Sequence, residues 1–226
     1  MDRSQLKRIL PLITIRGSLY GNTLQSNNIL LKVVGNEGLL TWITNGGKFV
    51  IKNKYDLKEI VLSNLDSVQS SDLKGLNKIK RIELTGHTTN AIKVDLSDFA
   101  DTLPSDMEKL IFRRCNLMGD VSTLSNVALK TLEVSAQNVS GDVLSLNFSK
   151  MERLNIAETN IVGTLESIVA KAISSGRKTG SITMPYMKAI AKVTYQGVPL
   201  PTNSNVPAAT GTNTLSWTAD GTITLT

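Results

Sequence analysis

NLMGDV at residues 116–121, NVSGDV at 138–143 and NIVGTL at 160–165 are three versions of one hexapeptide, and each begins 22 residues after the one before. A constant interval of this length is typical of repeat proteins, in which every repeat forms one short structural unit. A unit of this size cannot bury its own apolar side, so successive units must stack on one another. The repeated hexapeptide therefore decides the kind of fold.

The repeat extends towards the N-terminus when the residues before each hexapeptide are aligned. Five blocks share apolar residues at their first, fourth and sixth positions, and in the last three the eleventh position is apolar and the thirteenth is glycine. Positions four to six predict a short strand, because alternate side chains of a strand point to opposite faces. Glycine at position thirteen permits a bend where a side chain would clash. The blocks begin at Leu57, Ile79, Met107, Leu129 and Met151.

This arrangement resembles the leucine-rich repeat, LxxLxLxx(x)NxLxG. The resemblance implies an α/β solenoid with short parallel strands, flanked by small β elements at both ends. We expect a basic N-terminal β cap segment at 1–56, the solenoid at 57–180 with a C-terminal capping helix at about 164–175, short strands at 181–200, a linker at 201–211 and a C-terminal β arm at 212–226.

The capping helix and the C-terminal arm are predicted from local signals. Apolar residues at helical spacing follow Thr164, which is predicted to be the N-cap, and Gly176 is predicted to end the helix. The arm, TLSWTADGTITLT, predicts two strands around an Asp-Gly turn. It either folds back on its own chain or adds to a neighbouring molecule and buries Leu215, Trp217 and Ile223 there.

Position nine holds the residues that most resemble a catalytic pair, because the only histidine and the only cysteine of the chain both occupy it. A cysteine and a histidine together can form a nucleophile and its base. The repeat favours a structural role instead, in which position nine points inward and bonds the backbone of the turns as a polar ladder. We therefore expect no enzyme activity, no catalytic residue, no metal and no cofactor. The ladder residues are His87, Cys115, Gln137 and Thr159, with Leu65 in the first block.

The outward face of the strands is expected to carry mixed charge at positions two, three and five. Neighbouring blocks can pair opposite charges across this face, each pair contributing a few tenths of a kcal/mol. A nucleic-acid site would be consistently basic with interleaved aromatic residues, so nucleic acid is not an expected partner. If this face binds anything, the candidates are Arg81, Lys109, Arg113, Arg114 and Arg153.

The composition places the basic excess at one end of the chain. The net charge is +6, and residues 1–58 hold nine basic and three acidic side chains. This segment is either ordinary soluble surface or a docking face for an acidic partner or for DNA. No run of residues approaches the roughly 20 consecutive apolar residues of a membrane span.

The sequence of residues 57–226 also shows a resemblance to a more specific group of proteins. NVSGDV, NIVGTLESIVAKAISSGRKTGSITM, VTYQGVPLP and LSWTADGTITLT are similar to stretches in leucine-rich repeat proteins of tailed bacteriophages and prophages of gut anaerobes. This resemblance implies a non-enzymatic virion protein, as a capsid decoration, tail or adhesion component that contacts other virion proteins or itself. The alternative is a bacterial surface or secreted recognition protein that binds a host protein or glycan.

Overall fold

The computed structural model describes residues 59–61, 76, 78–86, 92–100, 102–208 and 212–226 in full, and the backbone of further strands between residues 14 and 65. These residues form an α/β protein with mixed, mostly parallel sheets and few helices. The chain divides into two compact units, Met1–Asn116 and Leu117–Thr226.

The first unit contains short strands from both the N-terminal segment and the first blocks. Parallel strands β7, β8 and β10 pair at the same block positions, since Arg81 lies opposite both Glu59 and Lys109. On the other side of β7, β4 and then β1 add antiparallel strands, while β2–β3 and β5–β6 form separate hairpins. The strands are β1 Thr14–Ile15, β2 Ser18–Tyr20, β3 Thr23–Gln25, β4 Leu31–Val34, β5 Leu40–Trp42, β6 Phe49–Ile51, β7 Glu59–Leu65, β8 Arg81–Gly86, β9 Lys93–Asp95 and β10 Lys109–Arg113.

The second unit contains two sheets built from the repeated blocks. Its first sheet has the order β12-β14-β16-β19-β20, and its second sheet joins β11, β13, β15, β17 and β18 in that order. The strands are β11 Asn116–Asp120, β12 Thr131–Glu133, β13 Asn138–Asp142, β14 Arg153–Asn155, β15 Asn160–Thr164, β16 Gly180–Met184, β17 Val193–Tyr195, β18 Val198–Pro199, β19 Asn213–Trp217 and β20 Ile223–Leu225.

The first sheet of the second unit confirms the predicted short strand at positions four to six, since β12 and β14 pair in parallel with Thr131 opposite Arg153. Leu132 and Leu154, at position four, are fully buried. Most of the buried side chains are aliphatic, in keeping with an aromatic content of 4%, and Phe99, Phe112, Phe148 and Trp217 are the buried aromatic residues among those described.

The second sheet of this unit consists of the hexapeptides themselves, which the sequence predicted only as a turn back into the core. In β13 and β15 the partners are offset, so that Ser140 lies opposite Asn160. Val139 and Ile161 are fully buried, as expected for position eleven. Each block thus contributes one strand to each sheet, because the backbone after the turn is extended enough to pair with the next block.

A short helical segment follows the second-sheet strands. Such 3₁₀ helices are Leu96–Phe99 after β9, Val121–Leu124 after β11 and Val143–Ser145 after β13. A further 3₁₀ helix, Met187–Ala189, follows β16 of the first sheet. The α-helix α1, Leu165–Ser174, takes this place after β15, within the predicted range. Ser167 donates its N–H to Thr164 Oγ1 at 2.9 Å, and Gly176 at φ +94° follows the helix end.

The C-terminal arm folds back on its own chain. Strand β19 pairs antiparallel with β16, from Gly180 opposite Trp217 to Met184 opposite Asn213, and β20 pairs antiparallel with β19. Leu215 is fully buried and Trp217 is 3% exposed. The prediction that these two side chains dock on a neighbour is therefore wrong, because they complete the core of the second unit. The arm is also not separate, since its strands extend the first sheet.

Candidate functional site

Cys115 is half-buried in the first unit, and its thiol bonds the backbone. Its Sγ is 3.2 Å from Arg113 O and 3.7 Å from Leu84 O, which belongs to the preceding block. Burial raises the pKa of Cys115 to about 12, because a thiolate loses its hydration there. At neutral pH the side chain is a protonated thiol that bonds carbonyl groups.

The other position-nine residues do not share one role. Thr159 is buried, and its Oγ1 donates to Ile156 O at 2.8 Å and accepts from the N–H of Ile161. Gln137 is exposed, so the prediction of an inward ladder is wrong for this block. His87, and the side chain of Leu65, lie outside the described residues.

The bond between blocks near Gln137 comes from position ten. Asn160 donates its side-chain N–H to the backbone oxygen of Gln137 at 2.6 Å. The recurrence of asparagine at 116, 138 and 160 was the sequence signal for this role. The sequence interpretation assigned the ladder to position nine and so missed it.

The residue after the repeated glycine caps the helical segment that follows, and sequence reasoning found this only for Thr164. The Asp120 carboxylate accepts from the N–H of Ser122, and the Asp142 carboxylate accepts from the N–H of Leu144, both at 2.8 Å. Asp95 caps Leu96–Phe99 in the same way. Aspartate favours this place because its oxygen satisfies a donor left unpaired at a helix start. The signal was the repeated Gly-Asp or Gly-Thr dipeptide.

The repeated glycines are required by both conformation and space. Gly141 has φ +115°, and a Cβ on it would overlap the carboxylate of Asp120 in the preceding block. Gly163 has φ +149°, and a Cβ there would overlap Val143. The cap and the glycine therefore interlock from one block to the next.

The predicted basic face of the first unit is occupied by internal ion pairs. Glu83 accepts from Arg81 at 2.5 Å and from Arg113 at 2.6 Å, and its side chain is only 14% exposed. Lys109 lies opposite Arg81 in the adjacent strand and is half-buried. Arg114 is exposed and adopts the left-handed φ of 51°, which is uncommon for a residue other than glycine.

The second unit repeats this pairing with a more buried carboxylate. Arg153 Nε lies 2.7 Å from Glu133 Oε1, and the Glu133 side chain is 5% exposed. The five arginine and lysine candidates are thus divided between the two units, where three of them pair with glutamates of the same unit. Four of the candidates lie in the first unit, on or next to β8 and β10, and Arg153 lies in the second.

Position five was expected to face solvent, and this prediction is wrong. Its members are buried or nearly so, and at Glu83 and Glu133 arginines of the same or adjacent strands pair with the carboxylate. The members are Val61, Glu83, Ile111, Glu133 and Asn155.

Arg177 is a polar contact point that sequence reasoning did not identify. Its guanidinium donates to the backbone oxygens of Phe148, Met151 and Ser181, and lies 4.9 Å from the ring centroid of Trp217. Trp217 Nε1 donates in return to Arg177 O at 2.9 Å. Burial lowers the pKa of Arg177, since the charged form loses hydration. These contacts join the last block to the C-terminal hairpin.

The described part of the chain contains no group of three or more His, Cys, Asp or Glu side chains that could hold a metal ion. It also contains no helix long and apolar enough to cross a membrane.

Comparison with known proteins gave no match: no family model, no curated protein and no solved structure matches this chain.

Proposed function

We propose that the chain is a leucine-rich repeat solenoid that serves as a non-enzymatic structural and binding protein of a bacteriophage particle. In this role it acts through contacts with other virion proteins or with itself, as a capsid decoration, tail or adhesion component. The observation that carries the proposal is that polar side chains of the repeats form hydrogen bonds and ion pairs with the backbone of the repeats and with one another.

The solenoid part of the proposal is supported by the pairing of successive blocks. In the second unit each 22-residue block places one strand in each of two sheets, and the strands of adjacent blocks pair in parallel. Asp120, Asp142 and Asn160 bond the turns of this arrangement. A stack of this kind builds a regular, extended surface, which repeat proteins use for binding.

The non-enzymatic part is supported by the state of Cys115. A nucleophilic cysteine needs an accessible thiolate, and a pKa of about 12 leaves almost none at neutral pH. Its Sγ is bonded to backbone oxygens. The thiol thus has a structural use that explains its presence in the repeat.

The virion part rests on the resemblance to leucine-rich repeat proteins of tailed phages. The experiment is to induce phage from the strain that encodes the chain, purify particles on a density gradient and identify their proteins by mass spectrometry. We expect the chain to co-sediment with capsid and tail proteins in fixed stoichiometry. Recovery from the cell envelope or culture medium and not from particles would contradict the proposal and favour the bacterial recognition protein.

A further inference from the structure

The outer strand of the first sheet in the second unit, β20, has a regular pattern of paired and unpaired backbone groups. Thr226 exchanges two backbone hydrogen bonds with Thr214, at 2.7 and 3.1 Å, and Thr222 accepts from Thr218 at 3.1 Å. In an antiparallel pair such bonded residues alternate with residues whose N–H and C=O point the other way. Ile223 and Leu225 therefore direct their backbone groups away from β19, towards the edge of the sheet.

This edge lacks the features that usually block pairing with another strand. Protein edge strands are commonly protected by lysine, proline or a bulge. Residues 221–226, GTITLT, contain no charged side chain and no proline, and β20 pairs with β19 without a bulge. Ile223 and Leu225 are half-buried and lie opposite the buried Trp217 and Leu215, so they extend the apolar side of the sheet to its edge.

The sequence of the edge is also nearly symmetric. Thr222-Ile223-Thr224-Leu225-Thr226 places threonine at every second position and an aliphatic residue on each side of Thr224. Reversed, it keeps the same pattern of polar and apolar residues. An antiparallel copy centred on Thr224 would set each threonine opposite a threonine and Ile223 opposite Leu225.

We propose that β20 pairs with β20 of a second copy of this chain, antiparallel and about a twofold axis at Thr224. In this register the outward backbone groups of Ile223 in each copy form hydrogen bonds with those of Leu225 in the other copy. A closed twofold interface of this type uses the same surface on both copies. The half-buried Ile223 and Leu225 of each copy then cover each other.

This contact deepens the proposed function, because it is one through which an assembly protein would act. It rests on the proposed function in that respect alone. The interface is small compared with the roughly 1,200–2,000 Å² of a stable complex. We therefore expect a weak dimer, which reaches high occupancy only where many copies are held close together, as they are in a particle.

The experiment uses charge at the twofold axis, where Thr224 faces its own copy. Thr224 is exposed, so its substitution leaves the core of the chain intact. In Thr224→Lys and in Thr224→Glu two like charges meet directly, which destabilises a strand pair. Sedimentation of the full chain from micromolar to millimolar concentration should show a wild-type dimer, with an apparent dissociation constant raised about tenfold or more in each variant. An equal mixture of the two variants should restore dimerisation.

The uncharged Thr224→Gln, close in size to the glutamate variant, is the matched control and should still dimerise. A wild-type chain that is monomeric throughout would overturn the proposal, as would dimers that persist in both charged variants or a mixture that stays monomeric. None of these results bears on whether the chain is found in purified particles, so the proposed function is judged separately.

Discussion

In the repeated blocks of the second unit, residues 117–164, caps and close-packed glycines recur from block to block, whereas residues 177–226 include side-chain contacts that occur only once. Asp120 and Asp142 make equivalent caps, and Gly141 and Gly163 make room for the preceding block. In the C-terminal segment, Arg177 and Trp217 contact each other. When one repeated contact is lost, the equivalent contacts in the other blocks remain. When a contact that occurs only once is lost, no equivalent contact remains.

The largest effect should follow the loss of Trp217. We expect Trp217→Ala to lower the free energy of unfolding by about 3–5 kcal/mol, because a buried aromatic side chain and its stacking on Arg177 are both removed. Chemical denaturation measures this loss. Trp217→Phe keeps most of the buried area and loses the hydrogen bond to Arg177 O, so it should cost less. In Trp217→Ala, hydrogen exchange should show faster opening at residues 180–184 than at 138–142. Equal opening of the two regions would contradict the distinction between the repeated blocks and the C-terminal segment.

The second prediction tests whether the repeated glycines are needed for space as well as for conformation. Gly141 and Gly176 both have positive φ, but a Cβ on Gly176 would meet nothing within 4 Å. Gly176→Ala should therefore cost only the conformational strain, about 1 kcal/mol. Gly141→Ala should cost about 2–4 kcal/mol, since it adds an overlap with Asp120. Thermal and urea unfolding of both variants provide the comparison.

A double variant sharpens this test. If the overlap is with the Asp120 side chain, Gly141→Ala combined with Asp120→Ala should cost less than the sum of the two single changes. Strict additivity would mean that the two residues do not interlock between blocks.

The third prediction concerns the two equivalent caps. Asp120→Ala and Asp142→Ala should each cost about 1 kcal/mol, because each leaves a helix-start N–H without its acceptor. Asn in either place keeps an acceptor oxygen and should cost less. Similar losses at the two positions, measured under one set of conditions, would agree with equivalent blocks. A loss confined to one of them would show that the repeats differ in how they hold the turn.

The smallest effect on stability at neutral pH should follow substitution of Cys115, because this block position holds a different residue in each block. Because folding raises the thiol pKa from 9.0 to about 12, its contribution to stability is complete below pH 9 and is lost as pH rises towards 12. The difference in stability between wild type and Cys115→Ala should therefore shrink over this interval.

Alkylation gives a second measure of the same pKa. At pH 8 the folded chain should hold about a thousandth of the thiolate of an ordinary cysteine, so iodoacetamide should react far more slowly with native than with denatured protein. Equal rates would mean that the thiol is accessible and its pKa is ordinary.

Much of the block architecture could be predicted because it follows from local geometry that repeats. The buried positions four, six and eleven, the glycines with positive φ and the helix after Thr164 are all encoded within a few residues of where they act. The caps at Asp120 and Asp142 were equally local and were missed because the hexapeptide was interpreted as a turn. The second-sheet strands were missed for the same reason.

The interaction candidates could not be assigned from sequence, because exposure depends on residues that are distant in the chain. Glu83 and Glu133 are outward-facing in any strand model, yet Arg113 and Arg153 cover them from neighbouring strands. Gln137 shares a block position with Thr159 and differs from it in burial. The predictions for His87 and for the basic residues near the N-terminus lie outside the described residues and stay predictions.

By itself the sequence determined the 22-residue period, the aliphatic core and the conformations that only glycine adopts easily. These depend on backbone geometry and on side-chain spacing, which neighbouring residues specify. Only the tertiary structure decided where the C-terminal arm goes, that Arg177 contacts Trp217, and which strand is left at the edge of the sheet. Those outcomes depend on pairing between segments that are tens of residues apart, and a local pattern predicts a strand without predicting its partner.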